Sequence, residues 1–201
     1  YTFAINYLDK AIDGGVNLTE GFKNRGISYM KLESYQSAID NFTACLKLDG
    51  NQATVLTHRA EAYILMEDAE SALNDLNAAI KLDDTNPDSY YNRAALHEQL
   101  GNFNEAASDF TKVIANSPDD ASAYFSRGNC LAEGGQYGKA IEDISAAVRL
   151  EPSNATYFRV LGNTKYQYNE MEQDPCADWQ KATQLGDKKA SFSMKRFCQG
   201  N

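Results

Sequence analysis

An all-α solenoid of helix-turn-helix repeats is the fold class the sequence predicts. Small residues return every 34 positions, at Gly26, Ala60, Ala94, Gly128 and Gly162, and again at Ala4, Ala38, Ala72, Ala106 and Ala140. Large apolar residues keep the same interval at Leu8, Phe42, Leu76, Phe110 and Ile144, and a fourth series, Ala11, Cys45, Ala79, Val113 and Ala147, is small or apolar throughout. A fixed period of this length marks a repeat architecture, in which each unit buries its apolar face against its neighbours. Within a period the apolar residues recur at intervals of three and four, which is the face of a helix and not of a strand.

Residues 1–18 come first. Tyr1, Ala4, Ile5, Leu8, Ala11 and Ile12 stand 34 before Tyr35, Ala38, Ile39, Phe42, Cys45 and Leu46, so the segment reads as the second helix of a unit whose first helix is absent. The expectation is a helix over Tyr1 to Asp13 packed on the unit that follows, its other face exposed or occupied, in a chain that is a fragment or the ordered part of a longer one. Four units follow at 19–52, 53–86, 87–120 and 121–154. In the last of them AYFSRGNCLAEGG (123–135) gives way to QYGKAIEDISAAVRLEPSN (136–154), where Tyr137, Ala140, Ile141, Ile144, Ala147 and Val148 share one helical face. Gly134 and Gly135 suit the turn between the two helices, and Pro152 stops the second. Small residues let the backbones approach where helices cross, and the larger Phe, Leu or Tyr fills the space beside the crossing. Residues 155–187 form a divergent fifth unit: Tyr157, Phe158 and Gly162 hold the register while PCADWQKATQLGD has slipped by one residue. Residues 188–201 complete the chain as a capping helix.

Composition narrows the function classes. The 19 Lys and Arg against 28 Asp and Glu give a net charge of -9, and an acidic surface repels phosphate backbones, so nucleic acid is not an expected partner. The one basic cluster, Lys188, Lys189, Lys195 and Arg196, sits at the carboxyl end. No stretch reaches the roughly 18 apolar residues of a membrane span. His58 and His97 are the only histidines, 39 residues apart with no Cys or carboxylate at ligand spacing, so no metal is expected. Neither joins a triad, and no Gly-rich phosphate loop is present, so neither catalytic residues nor a cofactor is expected.

The runs FKNRGISYM with YQSAIDNFTACLKLD, LTHRAEAYI with AESALNDLNAAIKLD, YYNRAALHEQLGNFNEAASDFTKVIANSP, and YFSRGNCLAEGGQYGKAIEDISAAVRLEP closely resemble the tetratricopeptide repeat family. The resemblance covers nearly the whole chain and implies a right-handed superhelix whose concave groove is lined by the first helix of each unit, at positions 2, 5, 6, 9, 12 and 13. Those positions hold Glu20, Lys23, Asn24, Ile27, Met30 and Lys31, then Thr54, Thr57, His58, Glu61, Ile64 and Leu65. Asp88, Tyr91, Asn92, Ala95, Glu98 and Gln99 follow, then Ser122, Phe125, Ser126, Asn129, Ala132 and Glu133, and finally Thr156, Arg159, Val160, Asn163, Tyr166 and Gln167. The strongest candidates for contact with a partner are Tyr91, Asn92, Phe125 and Asn129, because rings supply burial and amides bond an extended backbone. Lys23, Ile27, His58, Glu61, Arg159 and Asn163 complete the candidate set. Tyr91 and Phe125 have the alternative of packing between adjacent first helices.

The family's two-carboxylate clamp for acidic chaperone termini needs Lys, Asn and Arg at set places. Here those places hold Lys23, Ile27, His58, Asp88 and Asn92, or one unit later Thr57, Glu61, Asn92, Ser122 and Ser126. An acid at such a place repels a ligand carboxylate. Arg25, Arg59, Arg93 and Arg127 recur once per unit, and Asp75, Asp109 and Asp143 recur in the facing helices, which favours structural ion pairs over an anion-binding ladder.

Cys45 and Cys130 read as buried thiols. Cys176 and Cys198 each lie eleven residues from Asp187 in a turn, so antiparallel helices on either side would bring the two thiols to one height. The segment CADWQKATQLGDKKASFSMKRFC also resembles the closing hairpin of Sel1-like repeats, which makes Trp179 a core residue. A bridge there implies an oxidising compartment such as the periplasm or cell surface; two free thiols imply the cytoplasm. The expected function is a non-catalytic scaffold that holds a protein or peptide partner. The alternatives are a regulatory or docking part of a larger protein, and self-association through the first helix.

Overall fold

The computed structural model describes residues 1–168 and 174–198; residues 169–173 of the expected fifth unit and 199–201 of the expected last helix lie outside the described residues. Among the described residues the regular elements are twelve helices: α1 (Thr2–Asp13), α2 (Leu18–Lys31), α3 (Tyr35–Leu48), α4 (Ala53–Leu65), α5 (Ala69–Leu82), α6 (Pro87–Gln99), α7 (Phe103–Asn116), α8 (Ala121–Glu133), α9 (Tyr137–Leu150), α10 (Ala155–Tyr168), α11 (Cys176–Gln184) and α12 (Lys188–Phe197). They pack as helix-turn-helix repeats. The chain divides into two compact units, residues 1–96 and 97–201.

In the first unit Phe42 is fully buried with Ala38, Cys45 and Val55, and Phe22, Ile27 and Met30 close over them. A Cβ on Gly26 would stand 2.5 Å from the Phe42 ring, so the ring occupies the space that the missing side chain leaves. Ala60, Ala72, Leu76 and Leu96 form the next cluster, with Ile64 against it. At the amino end α1 buries Ile5, and its Ile12 fills the space over Gly21, where a Cβ would stand 2.9 Å away. Phe3 and Tyr7 point outward, 92% and 77% exposed.

The second unit repeats the device. Ile144 lies where a Cβ on Gly128 would come within 2.6 Å, and it packs with Ile141 and Leu161. Trp179 lies against Gly162 at 2.7 Å by the same measure and forms a cluster with Ala182, Ala190, Phe158 and Met194. Cys176 and Cys198 form a disulfide with 5.8 Å between Cα atoms, joining the start of α11 to the residue after α12.

The periodic arginines tie helices together. Arg59 donates to both carboxylate oxygens of Asp75 at 2.7 and 2.8 Å and reaches back to the Thr43 hydroxyl at 2.9 Å. Arg127 does the same with Asp143 at 2.6 and 2.7 Å and Thr111 at 3.0 Å. Arg25 bonds the amide oxygen of Asn41 and the carboxylate of Asp9, and Arg93 bonds Asn77 at 2.6 Å. Each of these partners lies 16 residues ahead or behind, so the planar donor groups of Arg25, Arg59 and Arg127 each hold the second helix of their own repeat and of the repeat before.

The turn inside each repeat uses one left-handed residue, at Glu33, Glu67, Gly101 and Gly135, again 34 apart. Glycine adopts that conformation freely, whereas a glutamate there costs about 1 kcal/mol.

Candidate functional site

Side chains three and four apart on a helix share a face, and some of the first-helix positions expected to line the groove come together in two clefts, one in each unit. In residues 1–96 a cleft of about 240 Å³ is lined by Thr57, His58 and Glu61 of α4 and Asp88, Tyr91 and Asn92 of α6. Its floor is fixed by the buried hydroxyls of Thr57 and Ser89, which bond each other at 2.7 Å, and by the His58 ring stacked on Phe42 with centroids 5.9 Å apart. His58 Nδ1 lies 3.8 Å from the Glu61 carboxylate. The neighbouring His58 holds the Glu61 carboxyl below its ordinary range against the opposing effect of burial, with the Lys31 charge in support.

In residues 97–201 a cleft of about 300 Å³ is lined by Glu98, by Asn129, Ala132 and Glu133 of α8, and by Val160, Asn163, Thr164 and Gln167 of α10. Burial pushes the Glu98 carboxyl above its ordinary range, and the negative charge of Glu133 pushes it the same way. The indole N–H of Trp179 donates to Asn163 Oδ1 at 2.9 Å, which fixes the amide so that its NH₂ is the group left to donate. Thr164, outside the six expected positions, is buried and bonds the Val160 carbonyl at 2.9 Å.

A larger cleft of about 390 Å³ borders the second helices α7 and α9 and contains Arg127 and Asp143. Its strongest charges already satisfy each other through the bidentate pair, so it offers little to a ligand. Cys45 and Cys130 are buried thiols; burial pushes Cys130 up to about 12. Among the described residues no three His, Cys, Asp or Glu side chains gather as a metal would require, and no helix is long and apolar enough to cross a membrane.

The ten sequence-predicted contact residues take different places. His58, Glu61, Tyr91 and Asn92 meet in the first cleft, and Asn129 and Asn163 in the second. Ile27 packs on the Phe42 cluster, and Phe125 lies against Tyr157 with ring centroids 4.5 Å apart, between α8 and α10. Lys23 pairs with Glu20 at 2.7 Å. Arg159 donates to Asp187 at 2.8 Å, a partner its own repeat position does not reveal. Asp88 entered the sequence reading only as an acid opposing a carboxylate clamp, and Glu98 and Glu133 stood among the groove positions without being singled out, because an acid on a helix face looks like a solvated charge until a concave wall is seen beside it.

Models of the tetratricopeptide repeat match residues 24–52, 62–101 and 91–155. No curated protein matches the sequence. Among solved structures, YrrB, a TPR protein with an unusual peptide-binding site, superposes with a TM-score of 0.81 at 21% identity, over 94% of this chain and 97% of that one. A double mutant of MamA from strain RS-1 gives 0.79 at 20% identity over 88% and 98% of the two chains. The form of MamA from Desulfovibrio magneticus RS-1 beginning at residue 41 gives 0.76 at 19% identity over 91% and 98%. At such identities the likeness shows the fold alone.

Proposed function

This chain is a tetratricopeptide repeat protein, and from that premise we propose that it is a non-catalytic scaffold that holds an extended partner segment against its first helices. The observation that carries the reading is the lining of the two clefts. Every residue of the first and all but Thr164 of the second come from the six face positions of first helices. Asn92, Asn129 and Asn163 place amides there, which both donate to and accept from a peptide backbone, and Tyr91 adds a ring that can cover a side chain. The peptide-binding site in the name of YrrB is in keeping with such a use. We also read α11 and α12, closed by the disulfide, as a Sel1-like hairpin; the burial of Trp179, Ala182 and Ala190 supports that reading.

Site-specific photocrosslinking tests the scaffold. A benzophenone side chain at position 92 or 129 is expected to capture the same partner, whereas one at Glu70 or Glu105, exposed on second helices, captures at least tenfold less. Equal capture from all four positions would refute the reading.

A further inference from the structure

The charge of the two clefts specifies the partner's chemistry. Glu61 and Asp88 line the first, Glu98 and Glu133 the second, and neither cleft has a Lys or Arg in its wall. We propose that each cleft receives a Lys or Arg side chain of a basic, extended partner segment, an inference that rests on the scaffold reading above.

The second cleft shows the fit most clearly. Its two carboxylates face a space of about 300 Å³ whose remaining walls are apolar at Val160 and Ala132 and amide at Asn129, Asn163 and Gln167. A lysine side chain is an apolar stem ending in three donors, so the stem lies on the apolar wall and the ammonium meets carboxylates and amide oxygens. Asn163, held by Trp179, presents its NH₂ to a backbone carbonyl. Burial raises the Glu98 carboxyl and the Glu133 charge adds to it, and a bound cation offsets both. In the first cleft, Glu61 and Asp88, the acids that disfavour a carboxylate ligand at the clamp positions, are the groups a cation needs. The first cleft is the more neutral of the two, because His58 and Lys31 act on Glu61.

The probe is a fluorescein-labelled twelve-residue peptide with Lys at every third position among Leu, Ser and Gly, followed by fluorescence anisotropy. Its comparators carry Gln or Glu in place of each Lys. The Lys peptide is expected to bind at least tenfold more tightly than the Gln peptide, and the Glu peptide not to bind. Replacing Glu98→Gln with Glu133→Gln weakens the Lys peptide about tenfold, and Glu61→Gln with Asp88→Asn weakens it less. Glu70→Gln with Glu105→Gln, which removes as much charge from exposed second-helix sites, leaves it unchanged. Neutralising repelling acids does not threaten folding, and an unchanged melting temperature verifies this.

Equal binding of the Gln peptide, still weakened by Asn129→Ala, would overturn the cation inference and leave the scaffold reading intact. No binding of any peptide at millimolar concentration would overturn both. An equal loss in the Glu70 and Glu105 variant would show bulk attraction and overturn the inference. So would spermine displacing the peptide at equal charge concentration, since the clefts would then serve a small polyamine.

Discussion

Residues 19–154 and residues 155–198 solve the same packing problem with different fasteners. In the regular repeats the filler of a crossing glycine stands 16 residues on, Phe42 for Gly26 and Ile144 for Gly128, and a periodic arginine closes the pair, Arg25 on Asn41 and Arg127 on Asp143. In the closing segment the filler of Gly162 is Trp179, one residue later, and Leu161 stands where the arginine belongs. Asp178, displaced by the same residue, pairs with Lys165 at 2.7 Å instead. Burial pushes its carboxyl up, and the Lys165 ammonium opposes that shift. The disulfide and the Arg159–Asp187 bond supply the fastening that the arginine gives elsewhere. A crossing thus needs a void and a filler, whereas the lock beside it is replaceable.

Removing the filler breaks the comparison most severely. Trp179 is almost wholly buried, lies within 5.9 Å of the Tyr166 and Phe197 ring centroids and donates to Asn163. Trp179→Ala is expected to cost about 3–5 kcal/mol of unfolding free energy in the closing segment, read by denaturant unfolding. A loss below about 1 kcal/mol would mean that the covalent bridge alone holds the segment.

The bridge itself ranks second. It closes a loop of 22 residues, and constraining the unfolded chain over that length is worth about 3 kcal/mol. Repeat stability is partly local, so replacing Cys176→Ser and Cys198→Ser should speed amide exchange in α11 and α12 while α4 and α5 keep their protection. Uniform acceleration along the chain would show instead that the bridge stabilises both units and not its own hairpin.

Much of this division was legible in the residues. The 34-residue period named the crossing pairs, the Arg–Asp series named Arg59–Asp75 and Arg127–Asp143, and the slip of one residue foretold the displacement of Trp179. The backward reach of Arg59 and Arg127 was not legible, because Thr43 and Thr111 look like ordinary surface hydroxyls. Nor were the left-handed turns at Glu33 and Glu67, since glutamate gives no sign of that conformation. For the clefts, the sequence located the face but not which charges on it remain unbalanced. Glu61 has His58 and Lys31 near it, while Glu98 has Glu133, and only the packed helices distinguish the two. Arg159 left the face for Asp187, a neighbour that the repeat register does not pair with it, whereas Phe125 against Tyr157 is the packing between adjacent first helices that the sequence offered as its alternative.

The smallest expected effect sharpens what replaces the arginine. Asp187 caps α12, accepting from the backbone N–H groups of Lys189 and Ala190 at 2.8 and 2.9 Å, and also accepts from Arg159. Burial alone would raise its carboxyl; the Ala190 N–H, Arg159 and the Lys189 N–H outweigh it and hold the carboxyl below the ordinary range. Asp187→Asn keeps a capping oxygen but loses the charge, at a cost of about 1 kcal/mol. A carboxyl lowered by folding stabilises the fold while ionised, and that contribution disappears as pH falls through its folded value. The gap in stability between the parent and Asp187→Asn should therefore be full above about pH 4 and close below it, as thermal melts across that range would show. A gap independent of pH would mean that Asp187 acts through cap geometry alone, and that the disulfide is the lock that stands in for the arginine.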